Sequence, residues 1–180
     1  MFNFYFALIS LFLFTPIITP IVLPKDEDKS PEILAKEKVK SQHFKILAKN
    51  LHDKFGLEIE PYEWSKQKPE ICKISFQTRL YDEISSLEDV RELIVAVVSY
   101  VLEYVNENPE TVPILIEHPM SAKRVVFLIN LVGNLHQDNW ASVNLVDGVI
   151  YYTYAYHKIK VPSETFEEAK AKVEAIRRGR

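Results

Sequence analysis

No charged side chain occurs between Met1 and Pro24, and all 22 Lys/Arg and 25 Asp/Glu of the 180-residue chain lie downstream. The break divides the chain before any secondary structure is considered. A charge-free block of this kind is suited to an apolar phase, and only the remainder carries the mixed surface of a water-facing domain. Phe4 to Phe14, interrupted only by Ser10, has the length of a secretory h-region, roughly 7–15 apolar residues. Pro16, Pro20 and Pro24 follow it and are poor inside a helix.

Two uses of this block remain open. A cleaved signal peptide explains the short apolar run and its prolines. However, Met1-Phe2-Asn3 carries no Lys or Arg, and no A-x-A-like box precedes the charges. An uncleaved anchor is the rival. At ~1.5 Å per residue, a helix over the block would reach about 35 Å, enough for ~30 Å of hydrocarbon. Lys25, Lys29, Lys36, Lys38 and Lys40 follow, a pattern that would hold that end in the cytoplasm. The expected organisation is residues 1–24 as signal peptide or membrane anchor, 25–29 as charged linker, and 30–180 as a single domain.

That domain is long enough to hold a core without staples. Cys72 is the only cysteine, so no intrachain disulfide can form. A net charge of −3 and a pI near 6.0 leave no electrostatic footprint for nucleic acid. With four glycines and no G-x-G-x-x-G, the chain lacks the backbone of the common nucleotide-binding loops.

Along the domain, Ser30-Pro31-Glu32 reads as a helix start, and Phe44, Leu47, Ala48, Leu51 and Phe55 keep helical spacing up to Gly56. Cys72 to Tyr81 alternates as a strand with one wet face. Ser85 and Glu88 have capping-box spacing ahead of a stripe from Val90 to Val105, which predicts a largely buried helix. Val125 to Val132 is apolar on both faces and reads as a central strand. Trp140–Val146 and Val149–Lys158 flank Asp147-Gly148, a two-residue hairpin signal. Ser163 then caps a helix with the stripe Phe166, Ala169, Val173 and Ile176. The expected fold is α+β: a mostly antiparallel four-stranded sheet with helices packed on one face, in the order α-β-α-β-β-β-α.

If Asp147-Gly148 is the turn, Val146 faces Val149 and the ladder follows outwards. Ala141, Val143, Leu145, Ile150, Tyr152 and Tyr154 then share the core face. Asp138, Trp140, Ser142, Asn144, Tyr151, Thr153, Ala155 and His157 share the other. A Trp and a Tyr among short hydrogen-bonding groups have the composition of a recognition surface. Asp138, Trp140, Asn144, Tyr151, Thr153 and His157 are therefore the candidate binding residues. Asp138 stands opposite His157 in that register, where an ion pair can form. The plainer reading is that Trp140 and Tyr151 pack as ordinary cross-strand neighbours.

Catalytic constellations are thin. Cys72 with His118, His136 or His157 as base matches no cysteine-hydrolase motif. His52-Asp53, His118, His136 and His157 show no H-E-x-x-H or C-x-x-C spacing, so no metal or other cofactor is expected. Ser121 lies outside any G-x-S-x-G elbow.

Val90 to Val95, Asn108, Pro113 to Leu115, Pro119, Ala122 and the following strands resemble small, uncharacterised exported α+β proteins of chlamydia-like bacteria, over roughly Leu51 to Ile176. The resemblance implies a bacterial exported protein and carries no catalytic residue with it. The function expected is an exported (periplasmic or secreted) or membrane-tethered binding or interaction module, not an enzyme. Its ligand would be a protein or a component of the cell envelope, with membrane contact through the N-terminal segment. The alternative is a hydrolase or metal-dependent enzyme with a histidine-centred site.

Overall fold

A computed structural model describes residues 30–60, 70–82, 84, 86–134, 140–154 and 163–179. The elements run α1 (Pro31–Phe55), β1 (Glu58–Glu60), β2 (Ile74–Leu80), α2 (Leu87–Glu107), β3 (Val125–Leu131), β4 (Trp140–Val146), β5 (Val149–Tyr154), β6 (Glu164–Thr165) and α3 (Phe166–Gly179). The α+β class stands: three helices pack with one sheet.

The sheet itself departs from expectation. It has six strands in sequential order, and β2 pairs parallel with β3 while every other neighbour is antiparallel. The strand count is therefore corrected from four to six; the sheet is mixed through its one parallel joint, while the other four neighbouring pairs are antiparallel as expected. The two added strands are three and two residues long, too short to show a period of two. The parallel joint has a different cause. Alternation along a strand is the same for either direction of pairing, and only a crossover such as α2 makes parallel pairing possible.

Local signals explain the helices. The Ser86 hydroxyl accepts from the Asp89 N–H at 3.0 Å and caps α2, so the cap lies one residue later than the spacing of Ser85 and Glu88 suggests. At α3 the box is Thr165 with Glu168: the Thr165 hydroxyl accepts from the Glu168 N–H, and the Glu168 carboxylate accepts from the Thr165 N–H at 2.8 Å. This replaces Ser163 as the cap. Gly56, at φ 66°, closes α1 through its N–H to the His52 carbonyl.

The core lies between the helices and one sheet face. Leu47 and Leu51 of α1, Val90, Ile94, Val97, Val98 and Val101 of α2, and Phe166, Ala169 and Val173 of α3 are buried there. They meet Ile74, Phe76 and Leu80 of β2, Phe127, Ile129 and Leu131 of β3, Val143 and Leu145 of β4, and Ile150 of β5. Phe76 stacks on Phe44 at 5.1 Å and tilts against Phe127 at 5.2 Å, which joins α1 to the two parallel strands.

A charged clasp holds α3 against α2 and β5. Glu164 accepts from Arg91 Nε at 2.7 Å, Tyr152 Oη at 2.5 Å and Lys172 Nζ at 2.5 Å. Arg91 and Glu164 are each only 8% exposed. Burial pushes the Glu164 carboxyl upward, but the hydrogen bonds from Lys172, Tyr152 and Arg91 outweigh it and hold the group below its ordinary range. Burial, with the Glu164 carboxylate beside it, drives the Tyr152 hydroxyl well above its ordinary value.

The β4–β5 hairpin has the expected turn. Asp147 and Gly148 both take positive φ, 50° and 80°, as a two-residue I′ turn requires. Pairing runs Val146 to Val149, Leu145 to Ile150, Asn144 to Tyr151, Val143 to Tyr152 and Ser142 to Thr153, the predicted register. Beyond Ser142 the ladder shifts, and Trp140 pairs with Tyr154. This bulge overturns the placement of Trp140. Its ring lies edge-on to Tyr152 at 6.3 Å and to Tyr154 at 5.2 Å, packed against the core rather than beside Asn144 and Tyr151. Burying the indole edge-on against two phenol rings favours that side over an exposed one.

Candidate binding cleft on the open sheet face

The helices cover one face of the sheet; the other presents two cross-strand rows. Register places Glu58 opposite Arg79, Arg79 beside Asn130, Asn130 opposite Ser142 and Ser142 opposite Thr153. The next row in is Glu60, Gln77, Leu128, Asn144 and Tyr151. Arg79, Tyr151 and Thr153 are exposed, and Asn130, Ser142 and Asn144 are half-buried.

A cleft of about 430 Å³ opens at the end of the first row. Arg79 and Tyr81 reach it from the C-terminal end of β2, Asn130 and Val132 from that of β3, and Ala141 and Ser142 from the start of β4. Two local features shape it. The bulge brings Ala141, which a regular ladder would turn to the core, to the cleft alongside Ser142, and both side chains are small enough to leave space. Gly133 allows the chain after β3 to press on the end of β2: a Cβ there would stand 2.3 Å from the Tyr81 carbonyl oxygen. The site thus lies at the carboxyl ends of the parallel pair, where β3 turns from a parallel neighbour to an antiparallel one.

The lining supplies a guanidinium, an amide, a hydroxyl and the half-exposed Tyr81 ring (52% exposed). Asn144, one pair inward from Ser142, carries a buried Oδ1 with no hydrogen-bond partner. These groups bind and orient. Among the described lining residues no imidazole or carboxylate stands beside Ser142 to activate it.

Of the six residues expected to form a binding face, Asn144, Tyr151 and Thr153 share the open face, and Trp140 does not. Asp138 and His157 lie outside the described residues, as does His136. Arg79 and Asn130 were missed. Their signal is present in the sequence: Asn130 is the one polar side chain in the run from Val125 to Val132.

The other chemistry-bearing side chains do not converge on this cleft. Cys72 is half-buried, with its thiol directed at the Glu70 carbonyl at 3.7 Å. His118 Nε2 lies 3.0 Å from the Asn106 carbonyl in the last turn of α2. His52 is exposed on α1. His43, unremarked in the sequence, is 5% exposed and bridges Tyr104 Oη and Glu110 Oε2 at 2.7 Å each. A carboxylate can only accept, so Nε2 carries the hydrogen and the ring ties α1 to the end of α2. Among the described residues no group of three or more His, Cys, Asp and Glu is placed to hold a metal ion, and no helix is long and apolar enough to cross a membrane.

No family model matches the chain, and neither curated proteins nor solved structures give a significant match.

Proposed function

We propose that this chain is an exported or membrane-tethered binding module that takes its ligand on the open sheet face, in the cleft between Arg79, Asn130 and Ser142. The observation that carries the reading is the cleft: about 430 Å³ at the carboxyl ends of the parallel pair, where Arg79, Asn130 and Ser142 bring polar groups to a lining that is otherwise largely apolar through Leu131, Val132 and Ala141. The charge-free leader and the resemblance to exported proteins of chlamydia-like bacteria support the cellular location. The cell envelope is accordingly the source of the ligand.

Each half has its own test. Ser142→Trp fills the cleft from a half-buried position on the open face and leaves the core side untouched. In a thermal-shift panel of sugars, sugar acids, amino acids and dipeptides, at least one compound is expected to stabilise the wild type and leave Ser142→Trp unchanged. A panel that shifts neither protein, or both equally, overturns the cleft.

For location, a reporter enzyme active only outside the cytoplasm is fused after Arg180. It is expected to be active with the full chain and silent when residues 1–24 are removed. Equal activity of the two fusions overturns export through that segment.

A further inference from the structure

We infer that the occupant of this cleft is the Tyr151 side chain of a second copy of the chain, in a two-fold pair that joins the open sheet faces. The inference rests on the cleft reading above and specifies what enters it. A second copy carries the same leader and so reaches the same compartment.

Composition points to a protein partner. Apart from Asn130, Val125 to Val132 is apolar in both alternating sets, the pattern of a strand covered on two sides. The helices cover one side. On the other, Val126, Leu128 and Val132 are only half-buried, and Val146 is 39% exposed. The charges of this face keep to its margin: Glu58, Glu60 and Arg79 on the β1–β2 side, and Lys73 paired with Asp147 at 3.5 Å beside the hairpin tip. An uncharged centre inside a charged rim is the composition of a protein interface.

The same face carries a projecting ring and a place to put one. Tyr151 is 47% exposed on β5, opposite Asn144. In the cleft, Leu131, Val132 and Ala141 form an apolar wall and Tyr81 offers a ring, while Arg79, Asn130 and Ser142 bring polar groups. A phenol has the matching halves: an apolar ring to bury and a hydroxyl that needs a hydrogen-bond partner. A void of about 430 Å³ takes such a side chain whole. Aromatic anchors seated in pockets are the usual energetic centres of protein interfaces.

Register makes the fit reciprocal. Tyr151 stands on β5 in the row of Gln77 and Leu128, whereas the cleft centres near β3, in and beyond the row of Arg79 and Asn130. With strands about 4.8 Å apart and ~3.3 Å per residue, the two lie roughly 10 Å apart across the strands and roughly 10 Å along them. The line joining them therefore runs at about 45° to the strands. A two-fold axis between the sheets, at right angles to that line, seats both Tyr151 side chains at once, as an isologous contact requires. That axis crosses the strands of the two copies at roughly 90°, one of the two preferred angles for stacked sheets.

Size agrees with a stable pair. Strands β2 to β5 have six or seven residues each. Their open face is about 20 Å by 20 Å, a flat footprint of roughly 400 Å². Side-chain relief enlarges the accessible area beyond that footprint, toward the ~800 Å² per partner of a standard interface.

Position-specific cross-linking of the full chain tests the assignment. Two differently tagged chains are co-expressed in a Cys72→Ser background, one with Tyr151→Cys and the other with Ser142→Cys. A short bismaleimide is added, its reach matched to the ~10 Å between stacked sheets. The pair is expected to link strongly, and Tyr151→Cys with Lys170→Cys, exposed on α3, is expected to link at background level. Association through residues 1–24 alone would link both pairs alike. A yield no higher than the Lys170→Cys control overturns the inference. N-acetyltyrosinamide, a soluble stand-in for the ring, is expected to raise the melting temperature of Tyr151→Ala and to leave Ser142→Trp unchanged. Failure here is distinct from failure of the cleft. If the probe separates these two variants but the cysteine pair links no better than the control, the cleft stands and the second copy falls. If the pair links and the probe treats both variants alike, the copies meet without the cleft and both readings fall.

Discussion

Replacing Glu164 with leucine is expected to cost roughly 3–5 kcal/mol, a large part of the stability of a domain this size. The substitution leaves Arg91 buried and charged, with Glu88 as its remaining acidic neighbour at 3.9 Å, and removes the acceptor of the Tyr152 hydroxyl. Removing both charges tests the mechanism: Arg91→Met with Glu164→Leu is expected to recover most of the loss, because an apolar pair of similar volume does not strand a charge. Urea unfolding of the three proteins measures it. A single-variant loss under about 1 kcal/mol would show that the clasp is ornamental.

The clasp also has a pH signature. The folded state holds Glu164 below its ordinary pKa of 4.5, so its contribution is fully present above that value. It is lost as pH falls from there through the lower folded value. Wild type is therefore expected to lose stability in that acid window, and the double variant to show a flatter profile there.

Gly133→Ala is expected to destabilise by about 3 kcal/mol or more and to abolish binding at the cleft. The added methyl would meet the Tyr81 carbonyl oxygen at 2.3 Å and the Asp82 backbone at 3.0 Å, and backbone cannot swing aside as a side-chain tip can. Because Tyr81 and Val132 both line the cleft, any shift that relieves the clash widens or skews it. Gly179→Ala, with nothing within 4 Å, is the control and should be nearly silent. A Gly133→Ala protein with wild-type melting temperature would refute the close packing of these two strand ends.

The legible parts of this chain were those governed by local chemistry. Asp147-Gly148 announced the hairpin because two adjacent positive φ angles demand such residues, and the register followed as far as Ser142. The helices were visible through Ser30, Pro31 and Gly56 and through the Val90 to Val105 stripe. The misses were non-local. Nothing between Ile74 and Leu80 states that the next strand in the chain lies parallel to it. The bulge at Ala141 accompanies the packing of Trp140 against Tyr152 and Tyr154, contacts that lie on the partner strand and not in the local sequence. Arg79 and Asn130 come together only through that same parallel joint, so the cleft could not be read before the topology.

The cleft draws its walls from both halves of the sheet, and those halves close on different scales. Strands β4 and β5 are joined by two residues, whereas β2 and β3 meet only after everything from Tyr81 to Arg124 has been brought round. Loop-closure entropy favours the hairpin first and the parallel joint later. A chain arrested between these stages would have a hairpin, most of its helices and no binding site. Affinity at the proposed cleft would thus report on completed assembly, and a ligand bound only by the finished sheet would draw the folding equilibrium toward it by mass action.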